Sequence, residues 1–192
     1  MASTYTTRNG IELISTGEQS GTWGDTTNVN LEIIDRALSG STPIVLSGTA
    51  HTLTTTDGVL SEGMYRVLVL GGSPSGTNTI TIAPNDAQKM YLVQNNSGEA
   101  AIFTQGSGAS ITVPDGKSKI IYSDGAGAGA AVSDLTAALS MSSVAITGGS
   151  IIGITDLAVA DGGTGASTAA AARANLDVDP AGTAVALAIA LG

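Results

Sequence analysis

From Asp25 to Ser39 the chain reads DTTNVNLEIIDRALS, with apolar residues returning at three- and four-residue steps. At about 100° per residue, Val29, Leu31, Ile33, Ile34, Ala37 and Leu38 share one side of a helical wheel, and Glu32, Asp35, Arg36 and Ser39 hold the other. The spacing predicts a helix over 25–39, capped by Asp25 or Thr26 and ended at Gly40. Asn30 falls near the middle of the apolar arc. It either hydrogen-bonds locally or sits as a polar residue at a helix–helix seam, fixing register. The arc covers about half the wheel, wide enough to touch both its own domain and a neighbouring chain.

Between residues 41 and 124 the period changes. Short runs recur, among them PIVLSG, HTLTT, MYRVLVL, NTITIA, KMYLVQN, AAIFTQG, SITV and SKIIYSDG, separated by TTDG, GGSPSG, APND, NNSGE and VPDGK. Strand residues broken at such spacing by Gly, Pro, Asn and Asp predict a small antiparallel β-sandwich, jelly-roll-like in character. Its expected core is Met64, Val67, Val69, Ile80, Ile82, Leu92, Ile102, Phe103, Ile111, Val113, Ile120 and Tyr122.

After Asp124 the texture changes again. GAGAGAA (125–131) reads as a low-complexity hinge or a close-packed crossover, and VSDLTAALSM as a short helix capped by Ser133. AITGGSIIGITDLAVADGGTGAS alternates Ile, Leu and Val with Gly and Thr, and ASTAAAARANL returns to helix near Ser167 or Thr168. Gly-rich strand pieces and a short Ala-rich helix bury too little surface to stand alone. The carboxyl-terminal third, 125–192, is therefore expected to be a shaft completed by identical copies.

Composition sharpens this picture. The hydrophobic fraction of 42% excludes a disordered chain, yet aromatics are only 3%, while 26 residues are Gly. Small residues let backbones approach closely, which suits thin layers and packed rods. A net charge of −9, with seven Lys and Arg spread along the chain, argues against nucleic-acid binding. The chain has no cysteine, which removes disulfides and thiolate metal sites. TAVALAIAL (183–191) is the longest apolar run and falls short of the roughly 20 residues a membrane span needs. The opening MASTYTTRNG lacks the pattern of a secretory signal, so synthesis without export is expected.

No constellation points to an enzyme, a cofactor or a metal. DGGTGAS (161–167) has the glycines of a phosphate loop but no Lys before its terminal Ser. It reads as a strand-to-helix transition at a crowded axis. His51, the only histidine, lies in a Thr-rich strand run and reads as a surface or packing residue. Asp161, Asp177 and Asp179 match no complete cation loop, and Glu12 and Glu18 make no defined acid–base pair. Asn95-Asn96-Ser97 fits a glycosylation sequon but reads better as a turn. Trp23, the only tryptophan, stands between Gly21 and Gly24. It either plugs a gap in its own chain or anchors a docking hook just ahead of the helix.

Two stretches carry a resemblance. GIELISTGEQSGTWGDTTNVNLEIIDRALSG resembles the amino-terminal segment of structural and tail-fibre-like proteins of tailed bacteriophages, marine ones in particular. VAITGGSIIGITDLAVADGGTGASTAAAARANL resembles the Gly/Thr-rich repeat of phage tail-fibre shafts, and the run from MYRVLVLGG to IIYSDG is similar to small β-modules of the same proteins. The resemblance implies a homotrimeric virion structural protein with three parts. Residues 1–40 attach to the particle through Trp23, Gly24 and Asp25. Residues 41–124 form the β-module, and 125–192 the Gly/Ala-rich trimeric shaft. Asn30, Ile33, Leu38, Gly162, Gly163, Gly165 and Ala170 are then the expected oligomerisation residues, the glycines where chains come closest. Its expected partners are identical subunits, phage tail or capsid proteins and a host surface.

A receptor-binding fibre carries a distal tip after its shaft, and here Gly192 follows soon after GGTGAS. The expectation is a tip that is absent or supplied by another protein. That departure raises the alternative of a capsid decoration or head-fibre protein bound to the capsid lattice. A carbohydrate-binding module is a third reading, weakened because Tyr65, Tyr91, Phe103 and Tyr122 are the only aromatics of the β-region and several belong in its core.

Overall fold

The computed structural model describes residues 2–137, 163–178 and 183–192. They belong to two units, 1–140 and 141–192. The described residues are mainly strand, with three short-to-medium helices.

The first unit opens with a small antiparallel pair, β1 (Thr4–Tyr5) and β2 (Glu12–Leu13). The Glu18 carboxylate gathers the loop around it, accepting from Ser3 N–H at 3.1 Å, Ser3 Oγ at 2.8 Å and Ser15 N–H at 3.3 Å. The Ser3 hydroxyl bond, above all, lowers the Glu18 pKa. Glu12, bonded to the Gln19 side chain, is likewise part of this framework. Helix α1 then runs Trp23–Ser39. It starts two residues earlier than the pattern predicted, and Thr22 stands at its N-cap with no side-chain bond. Asp25 is instead inside the first turn, where its charge favours the helix dipole, and Arg36 does the same in the last turn. Gly40 does end the helix, but with φ −68°, an ordinary extended conformation. Its need for glycine is space: a Cβ there would lie 2.7 Å from Arg36 Cα and 2.8 Å from the Tyr65 ring.

The β-module corrects the antiparallel expectation. β3 (Ser41–Thr54), β4 (Val67–Ala83), β5 (Gln88–Asn95) and β6 (Ala101–Thr104) pair in parallel. β4 is shared: β3 lies along its whole length on one edge, while β5 takes Val67–Leu70 and β6 takes Asn78–Thr81 on the other. Ser41 faces Val67, which faces Leu92, so the chain coils with a repeat of roughly 25 residues, as solenoids do. GGSPSG, read as a turn, is a corner within the long strand β4. There Gly72 holds φ +96° against the Leu46 backbone, a position that only glycine fills easily. The coil then reverses. β7 (Ile111–Val113) pairs antiparallel with β6, β8 (Ser118–Asp124) with β5, and β9 (Val132–Asp134) with β8. Seven strands thus make one sheet, which curls nearly into a barrel as Val132 N–H reaches Ala109 O at 2.8 Å.

Inside this curl, residues from successive turns stack. Ile80 faces Phe103, Leu53 faces Ile82, and Leu68 faces Val93, all buried. Met64, Ile80, Ile82, Phe103 and Val113 are core as expected, and Ile111 packs against the core in part. Val67, Val69, Leu92, Ile102, Ile120 and Tyr122 are not; Leu68, Leu70, Tyr91, Val93 and Ile121 take the inward places. In VLVL and KIIY both phases are apolar, so alternation did not say which face turns inward.

Buried polar side chains close the corners. Asn78 donates to Ser47 O and Gly48 O, and Gln105 donates to Ala87 O at 2.6 Å while accepting from Gly125 N–H. Asn95 is fully buried: Nδ2 donates to Glu99 O and Val113 O, both at 2.8 Å, and Oδ1 accepts from Ser97 N–H and Oγ. The sequon is therefore a turn with its asparagine inside. On β3, His51 Nε2 meets Glu62 Oε1 at 2.7 Å, a packing role for the single histidine. Among the described residues β3 pairs with β4 alone, leaving its other edge open.

Residues 125–131 act as a close-packed crossover: Ser107 N–H and Gly108 N–H bond to Ala128 O and Ala130 O. The sheet continues beyond Asp124 to β9, so Ser133 lies in a strand and caps no helix; the rest of that expected helix, from 138 on, lies outside the described residues. The Asp134 carboxylate accepts from Thr136 and Ala137 N–H in the turn that follows β9. Lys119 at 2.7 Å, then the Thr136 hydroxyl, hold its carboxyl down at about 2. A lowered carboxylate pKa gives stability that is present above the unfolded value and lost as pH falls through the folded one. The expected contribution, screened by solvent, is about 1 kcal/mol, lost between about pH 4 and pH 2. Urea midpoints over that range should therefore fall less steeply for Asp134→Asn than for the parent.

In the second unit, α2 (Ala169–Asn175) begins at Thr168, whose hydroxyl accepts from Ala171 N–H at 3.2 Å. α3 (Thr183–Leu191) follows, and its sequence TAVALAIAL offers no polar face.

Candidate attachment and assembly surfaces

The helix α1 has two apolar sides with different fates. Ile33 is fully buried, with Val29 and Ala37 half-buried beside it, so this side belongs to the chain's own packing. Its C-terminal end is tied down by Arg36, which lies 4.8 Å over the Tyr65 ring and donates to Leu60 O at 3.1 Å. Asn30 sits at the border: Oδ1 accepts from Glu12 N–H and Nδ2 donates to Glu12 O, both at 2.9 Å. This two-way bond docks β2 on the helix, the local reading of Asn30.

The other side faces outward. Trp23 is 62% exposed, Leu31 58%, Ile34 37% and Leu38 65%. At helical spacing these four lie on one stripe. Trp23 therefore fills no gap among the described residues of its unit, and Gly24 and Asp25 are exposed beside it. Of the expected oligomerisation residues on this helix, Leu38 is available to a partner, whereas Ile33 is enclosed by its own unit. Leu31 and Ile34 complete the stripe; their place on the apolar arc was legible, but which part of that arc the sheet would cover was not. The stripe borders a cleft of about 260 Å³, lined by Ile34, Leu38, Tyr65, Lys89 and Met90. On the outer face of the sheet, Val67, Leu92 and Ile120 stand side by side in register along a shallow groove.

In the second unit, Gly162 lies outside the described residues, as do Asp161 and Asp179. Gly163 and Gly165 are half-buried, Gly165 with φ +62°, and Asn175 Nδ2 donates to Thr164 O and Gly165 O at 3.0 and 2.9 Å. Gly163 to Gly165 thus fold back on α2 as a compact turn leading into the helix; whether a strand precedes it lies outside the described residues. Ala170 is exposed on α2. On α3, Val185, Leu187, Ile189 and Leu191 are 63%, 59%, 77% and 80% exposed.

Among the described residues no three His, Cys, Asp or Glu side chains gather to hold a metal ion, and no helix is long and apolar enough to cross a membrane. No protein family, curated protein or solved structure matches the chain.

Proposed function

We propose that this chain is a fibre-type structural protein of a tailed-phage particle, homotrimeric, attached through its amino-terminal segment and projecting outward, with a host surface as a further partner. The reading contains no catalytic step and no cofactor. The observation that carries it is α3: a nine-residue helix, apolar on every side and exposed on every described side chain. A helix of that length is not stable alone in water, and a single partner covers only one of its faces. Two further copies cover a wider arc of it than one partner can. The stripe of Trp23, Leu31, Ile34 and Leu38 supports the attachment role, because tryptophan is enriched among the residues that carry binding energy and the aliphatic side chains in line with it extend the apolar area.

Light scattering on the purified full chain tests the assembly. A trimer is expected, and the double substitution Leu187→Glu with Ile189→Glu should give a monomer with the strand signal in circular dichroism unchanged. A monomeric parent overturns the fibre reading and favours the capsid decoration alternative, tested next by binding to capsid protein.

A further inference from the structure

Lys89 stands on β5 at the centre of the sheet and is only 7% exposed. Its Nζ donates to Asn9 Oδ1 at 3.2 Å and lies 3.4 Å from Met64 Sδ. No carboxylate forms an ion pair with it among the described residues. A buried lysine without an ion pair favours its neutral form, because the charged form loses its hydration. Burial lowers the Lys89 pKa to about 8, against a smaller opposing pull from Asp57. The amine is therefore a nucleophile at mildly alkaline pH, touching a side-chain amide.

The amide is held in place. Arg8 Nε donates to Gln88 Oε1 at 3.1 Å, so the segment carrying Asn9 is docked along β5 from both neighbouring positions. The Asp57 carboxylate lies against Gly10, the residue after Asn9, and Gly58 N–H donates to Gly10 O at 2.7 Å. An amine and an amide carbon one bond from its hydrogen-bonded oxygen are the nucleophile and electrophile of an acyl transfer.

We propose that Lys89 and Asn9 join in an intramolecular isopeptide bond. Nζ attacks Asn9 Cγ, the new C–N bond forms, and the bond from Cγ to the amide nitrogen breaks to release ammonia. One proton of the attacking amine ends on the leaving nitrogen, passed through solvent, so the exchange is redox-neutral and needs no co-reactant. The link staples the amino-terminal segment to the middle of the sheet, across 80 residues of chain.

The test is intact mass and tryptic mapping of the full chain after prolonged incubation at mildly alkaline pH. The expected result is a mass short by one ammonia and a branched peptide joining 9–36 to 67–117, uncut at Lys89. Full mass with linear peptides overturns the proposal. So does an ammonia loss confined to 9–36, which marks a succinimide at Asn9-Gly10. Lys89→Arg, which keeps the charge, should lose the branched peptide. Asn9→Asp should form the same link with loss of water.

Discussion

Phe103→Ala is expected to lower the unfolding free energy by about 3–5 kcal/mol. Phe103 is the only phenylalanine, is fully buried, and faces Ile80 on the adjacent turn of the coil. Its removal leaves a ring-sized cavity in a wall of backbone that is hydrogen-bonded on both sides, with Thr81 and Thr104 paired next to it. Such a wall cannot collapse inward without breaking the ladder, so the cavity term should be near the top of its range. The neighbour Ile102 points to the other face and is half-buried; Ile102→Ala should cost about 1 kcal/mol. Urea unfolding followed by circular dichroism separates the two. Equal losses would mean that Phe103 is no more enclosed than Ile102.

Asn95→Ala should cost about 3 kcal/mol, large for one polar side chain. Asn95 supplies four hydrogen bonds in a place water does not reach, and alanine leaves the Glu99 and Val113 carbonyls and the Ser97 N–H and hydroxyl without that partner. The cost comes from stranded backbone groups more than from the bonds themselves. Asn95→Asp is the informative companion. It keeps the acceptor for Ser97 but places a carboxylate oxygen against two carbonyls, so it should be as damaging as alanine or worse. An aspartate variant as stable as the parent would show that the Ser97 bonds alone hold the turn.

Much of the element map was legible, and the reasons differ from place to place. α1 shows itself through a 3.6-residue period over fifteen residues, and the turns APND, NNSGE and VPDGK through residues that prefer turn conformations. The parallel pairing was hidden. A parallel neighbour ordinarily needs a long crossover, usually helical. Here the crossover from one turn to the next is itself strand: the second half of β4 carries the chain from Val67 round to Leu92. Short strands joined by tight corners look like hairpins when read along the chain. The inward phase was hidden wherever both faces are apolar, as at Val67–Leu70. At the assembly surfaces, the apolar arc of α1 was visible, but its division into a covered side and a free one depends on where Tyr65 and β2 dock, which is tertiary information. Lys89 had no signal at all, since nothing local to KMYL brings Asn9 to it.

The edge of β3 that no described residue pairs has a consequence for how copies of the chain would behave side by side. A coil that ends in an unpaired strand is a template, and a second molecule laid on it would extend the ladder into a filament without limit. β3 is poorly suited to that. Pro43 has no N–H to offer, the register breaks between Gly48 and Ala50, and the bond between His51 and Glu62 holds a 3₁₀ turn, Glu62–Met64, against the strand. Runaway polymerisation along the backbone is thereby discouraged. The proposed trimer would then rest on side-chain contacts of the helices rather than on the backbone ladder.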